Sequence, residues 1–124
     1  MLKKTMTYLD FDGEQRTEDF YFNLTKAEVA DLELAYDGGL TKVIEKISQE
    51  KNNKVLWEIF KDIVLKSYGE KSLDGKRFVK IDKDGHKLCY DFAQTQAFSD
   101  LVMELSTKAD AAAKFFNAII PEVK

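Results

Sequence analysis

The sequence predicts a mainly α fold: a compact bundle of about five or six helices carrying an N-terminal β-hairpin, with α+β character only at the margin. Three observations predict it. Residues 3–23 are rich in strand formers grouped about an Asp12-Gly13 turn. Most later segments carry apolar residues at helical spacing, several opened by a capping residue. The chain has 124 residues, 44% of them hydrophobic and 33% charged, which suits one domain over 1–124 with one core.

The hairpin comes first. Asp12-Gly13 reads as a two-residue turn, because such a turn needs positive φ and these residue types tolerate it. That turn places Tyr8 opposite Thr17 and Thr5 opposite Phe20. Met6, Tyr8 and Tyr21 then lie on one face and Leu9, Phe11, Phe20 and Phe22 on the other. A two-stranded ribbon with two apolar faces needs a second surface to pack on, either the helices of 25–121 or a neighbouring subunit.

Thr25-x-x-Glu28 is a capping box, which predicts a helix over about Lys26 to Tyr36, stopped by Asp37-Gly38-Gly39. Leu40, Val43, Ile44 and Ile47 predict a second helix with a narrow stripe, and 49–53 a polar break. Lys54 to Tyr68 is the most apolar stretch. Leu56, Ile59, Phe60 and Ile63 form its stripe, Trp57, Val64, Leu65 and Tyr68 widen it, and Gly69 ends it. A polar turn over 72–78 leads into an extended piece from Arg77 to Ile81, and Asp82 to Gly85 is another turn. His86 to Ala93 suits a short helix or a strand. Thr95 caps a helix striped by Phe98, Leu101, Val102 and Leu105. Thr107-x-x-Asp110 resembles a cap for the last helix, lined by Ala109, Ala112, Ala113, Phe116 and Ile120 and ended by Pro121.

Composition limits function. Nineteen Lys and Arg against 22 Asp and Glu give a formal charge of −3, a poor basis for a whole-surface grip on nucleic acid. Lys71, Lys76, Arg77, Lys80 and Lys83 cluster around Phe78, but Glu70, Asp74, Asp82 and Asp84 interleave and cancel most of the field. Nothing approaches the length of apolar chain that a membrane span needs, and no signal peptide is visible. The lone cysteine, Cys89, suits a reducing compartment such as the cytosol.

Catalytic and metal chemistry find little support. His86 and Cys89 stand three apart, too few for a tetrahedral metal site and without an evident orienting group for a nucleophilic pair. Each Asp-Gly turn, aligned as a calcium loop, loses an essential ligand: Lys80 or Tyr8 falls at the first position, or Ile81 at the last. No glycine pattern suits a phosphate loop. No catalytic residue, cofactor or metal is therefore expected. What remains is broad apolar surface, which points to a binding protein.

Longer strings narrow this. Thr17-Glu18-Asp19-Phe20-Tyr21-Phe22-Asn23-Leu24-Thr25-Lys26-Ala27-Glu28 runs from hairpin into helix, and Asp37-Gly38-Gly39-Leu40 follows. Then come Ile59-Phe60-Lys61-Asp62, Ser67-Tyr68-Gly69-Glu70-Lys71-Ser72, Asp74-Gly75-Lys76-Arg77-Phe78, Phe92-x-Gln94-Thr95, Met103-Glu104-Leu105, and Ile119-Ile120-Pro121 after an alanine-rich helix. In order and spacing these resemble the tail assembly chaperones of long-tailed bacteriophages that infect Gram-positive hosts. The resemblance covers about Thr5 to Pro121 and departs at Ile81 to Tyr90, a variable loop.

The resemblance implies a non-enzymatic protein that binds the tape-measure protein and keeps it soluble and extended in the host bacterial cytoplasm until tube subunits polymerise around it. It implies absence from the mature virion, and a longer frameshifted form that recruits the tail tube protein. The alternative is a structural tail or head-tail protein retained in the particle. Amphipathic helices of such a client suit contact with Trp57, Phe115, Phe116 and Ile119. Tyr8, Phe20, Tyr21 and Phe22 of the two-faced hairpin are the expected self-association surface of a possible homo-oligomer.

Overall fold

Asp10, not the Asp12-Gly13 pair alone, sets the hairpin. In the computed structural model, which describes residues 1–36, 38, 39, 42 and 53–121, the Asp10 Oδ1 accepts from the backbone N–H of Asp12 and of Glu14, both at 2.9 Å. Arg16 Nε donates to its other oxygen at 2.6 Å, and this bond holds the Asp10 carboxyl below the usual carboxylate range. Phe11, Asp12 and Gly13 form a three-residue loop, with Gly13 at φ +81°.

The longer loop moves the register. Strands β1 (Leu2–Leu9) and β2 (Gln15–Phe22) pair Thr7 with Thr17 and Tyr8 with Arg16. The expected pairing of Tyr8 with Thr17 is one residue off, and a one-residue slip exchanges faces. Leu2, Met6, Tyr8, Phe20 and Phe22 now share the face turned to the core, while Lys3, Thr5, Thr7, Leu9, Thr17 and Asp19 are exposed on the other. The ribbon therefore has one apolar face, not two.

The sheet is also larger than a hairpin. Helix α1 (Lys26–Ala35) opens on the expected capping box, with Glu28 N–H donating to Thr25 Oγ1 and Thr25 N–H to Glu28 Oε1. The segment expected as a second helix, around Leu40, Val43, Ile44 and Ile47, lies outside the described residues. Helix α2 (Asn53–Ser67) runs without a loop into β3 (Tyr68–Lys71), which pairs with β2, and β4 (Phe78–Val79) pairs with β3. The result is a four-stranded antiparallel sheet in the order β1-β2-β3-β4.

The mainly α expectation is thus corrected to α+β, with 49% helix and 23% strand among the described residues. Gly69 explains the difference. It ends the helical pattern, as expected, but it does so inside a strand. A side chain there would meet the Phe78 ring at 2.6 Å and the Val79 carbonyl oxygen at 2.7 Å, so only glycine lets β4 close over β3. Four residues with no alternation then hide a strand behind a helix-like pattern.

Helices α3 (Leu88–Phe92), α4 (Gln96–Thr107) and α5 (Ala109–Ile119) complete the fold. The short α3 plants Phe92 in the core, stacked on Tyr68 with centroids 4.3 Å apart. Thr95 caps α4 as expected, and Leu101, Val102 and Leu105 are buried. Thr107 does not cap α5. Its hydroxyl donates back to the Met103 carbonyl, and Lys108 holds the cap position with no side-chain bond. The buried stripe of α5 is Ala112, Phe115, Phe116 and Ile119, one residue round from the expected one, and Ala113 is exposed.

Polar bonds tie these pieces together. Leu24 N–H donates to the Ile119 carbonyl at 2.9 Å. The Tyr36 hydroxyl donates to Asp62, joining α1 to α2, and burial and that carboxylate push the phenol well above its ordinary range. Burial raises the Tyr68 hydroxyl to about 12.

Candidate partner interface

Strand β1 is an edge of the sheet. Its free side follows from the ladder. Asp10 N–H bonds the Glu14 carbonyl at 2.9 Å, and Asn23 N–H bonds the Ser67 carbonyl at 2.7 Å. Bonds alternate along an antiparallel pair, so even-numbered residues of β1 bond β2 and odd-numbered residues of β2 bond β3. Lys3, Thr5, Thr7 and Leu9 therefore turn their backbone N–H and C=O away from the sheet.

Beside this edge, between Leu2–Thr5 and the helical pair α4 and α5, lies an open groove of about 790 Å³. Leu105, Ala111 and Phe115 give it apolar walls. Lys3, Lys4, Lys108 and Lys114 line it against only Glu104 and Asp110. Lys4 bridges Glu104 at 3.0 Å, and Lys3 reaches Asp19 at 3.7 Å. Lys108 and Lys114 have no ion pair among the described residues. The groove is thus net positive on a chain that is net negative.

Apolar side chains also reach solvent elsewhere: Phe11 at the hairpin tip is 81% exposed, and Leu34 on α1 is 88% exposed. Leu73 in the β3–β4 turn is fully exposed.

The residues expected to meet partners fall in two groups. Trp57 is partly exposed and packs on the edge of the core. Phe115, Phe116 and Ile119 are buried by the subunit itself, as are Phe20 and Phe22 of the hairpin. Tyr8 is half-buried on the core face, its hydroxyl donating to Glu18, and Tyr21 is half-buried on the opposite face. The register differs from the expected one, so Tyr8, Phe20 and Phe22 share one face of the ribbon and Tyr21 lies on the other.

The basic cluster around Phe78 is also rearranged. Lys80 turns inward, where its ammonium donates to Glu28 Oε2 at 2.6 Å and to the carbonyls of Asn23 and Lys66 at 2.8 and 2.7 Å. Phe78 covers Gly69. His86 faces Asp91, with Nε2 3.1 Å from the carboxylate, both side chains being exposed. No three His, Cys, Asp or Glu residues among those described are placed to hold a metal ion.

Sequence reasoning missed the groove. Lys3, Lys4, Lys108 and Lys114 are remote in the chain, and only the α5 stripe, read one residue out of phase, could have brought them together.

A family model described as phage tail assembly chaperone matches residues 1–123. The chain belongs to that family. The match spans nearly the whole sequence, hairpin and helices alike, so the groove and the exposed edge are parts of a tail assembly chaperone. No curated protein and no solved structure matches the chain. Among the described residues, no helix is long and apolar enough to cross a membrane.

Proposed function

We propose that this chaperone binds the tape-measure protein in the cytoplasm of the infected bacterium and keeps it soluble while the tail is built. It acts by contact, without catalysis, and leaves before the virion is complete. A longer frameshifted form brings tail tube protein to the same complex. The observation that carries this reading is the family match over residues 1–123. A long client can engage many copies, so modest affinity per copy suffices. Trp57, partly exposed at the core's edge, is the expected side-chain anchor that remains accessible.

Co-expression of the tape-measure protein with and without this chain tests the reading. The client should be recovered in the soluble fraction only when the chaperone is present. Mass spectrometry of purified virions separates this reading from a structural tail protein, which would be found in the particle.

A further inference from the structure

We infer that the β1 edge and the groove beside it form a strand-addition site for an extended partner segment that alternates apolar and acidic residues. Three features of the molecule carry this. The odd-numbered residues of β1 offer backbone donors and acceptors that have no partner among the described residues, at the spacing of a strand. The groove lies along the first half of that edge and has apolar walls, so alternate side chains of an added strand have somewhere to go. Four lysines line it against two acids, two of the lysines having no ion pair among the described residues, which selects acidic residues for the rest of the segment.

Each part of the site supplies a different quality. Backbone bonds to Lys3, Thr5 and Thr7 supply most of the affinity and tolerate many sequences. The groove sets the alternation. The lysines set the charge, and their share weakens with salt. A second copy of this chain is a poorer occupant, because its own β1 is lysine-bearing and would bring like charges to the same edge. The inference does not depend on which tail protein supplies the strand, so its failure leaves the tape-measure reading standing.

The test uses the full chain and a capped eight-residue peptide of alternating Val and Glu. Binding is followed by calorimetry and by backbone amide exchange. The peptide should bind and slow exchange at Lys3, Thr5 and Thr7, and a Val–Lys peptide should bind at least about tenfold more weakly. Thr5→Pro removes an outward N–H that β2 does not use, so it should weaken binding by about tenfold or more while β1 stays paired. The double substitution Lys108→Glu with Lys114→Glu should do the same. N-methylation of the peptide at one alternate set of amides should abolish binding, and at the other set should not, which needs no change in the protein at all. No binding at up to about 1 mM overturns the proposal. So does equal tolerance of both N-methyl sets, or a wild-type dimer that Thr5→Pro converts to monomer, since the edge would then belong to a second copy.

Discussion

The Lys80 ammonium donates to the Glu28 carboxylate at 2.6 Å, joining the end of β4 to the first turn of α1. The same nitrogen takes the carbonyls of Asn23 and Lys66, the first just beyond β2 and the second in the last turn of α2. One side chain thus pins three elements, and the Lys66 carbonyl is one that a helix end leaves without a partner. Lys80→Ala should cost about 2 kcal/mol, because it strands a partly buried carboxylate and two carbonyls. Urea unfolding checks this; an unchanged midpoint would contradict it.

Glu28 gives the fold a pH dependence. Burial pushes its carboxyl upward, but the bonds from Lys80 and Thr25 together outweigh burial and leave it below its ordinary value of 4.5. A lowered carboxyl stabilises the fold above the unfolded value, and that stability is lost as pH falls through the lowered folded value. Wild-type stability should therefore fall as the solution is acidified below pH 4.5. Glu28→Gln should start lower and lose less over the same interval. Parallel curves for the two proteins would contradict the assignment.

Gly69 holds the sheet together by having no side chain. Gly69→Ala places a carbon against Phe78 and the Val79 carbonyl, and overpacking of this kind costs about 1–3 kcal/mol. Gly69→Ala with Phe78→Ala should recover little, since the backbone oxygen at 2.7 Å remains. Thermal unfolding of the two variants checks it; full rescue by the double change would contradict it.

Burial separates core from contact among the aromatic residues. Phe115→Ala should cost about 3–5 kcal/mol, as expected for a large side chain removed from a core. Trp57→Ala should cost less, and should lower the amount of soluble tape-measure protein at a temperature where the variant is folded. Equal destabilisation of both, with client solubility following stability alone, would remove Trp57 as a contact.

Much of this fold is written locally. The Thr25–Glu28 capping box, the Thr95 cap and the Leu101, Val102 and Leu105 stripe each arise within a few residues, and each stands in the structure. The rest depends on partners far away in sequence or on one side chain choosing between two turns. Asp10 adds a residue to the loop, and that single choice moves Phe20 and Phe22 to the same face as Met6 and Tyr8. Tyr68 to Lys71 becomes a strand only because β2 is there to pair with it. Phe115 falls outside the expected α5 stripe although it is buried, because the phase of that helix is set by its packing on α4 and β1, and by Phe116 meeting the Phe60 ring of α2 at 6.0 Å, rather than by its alanines. The family strings, by contrast, span 5–121 and agree with the match over 1–123.

The most direct test of the central claim is the solubility of the tape-measure protein expressed in bacteria with this chain and without it. The account predicts soluble client with the wild type and aggregated client without it. A tape-measure protein that stays soluble with no chaperone present, or that aggregates equally in its presence, would contradict it.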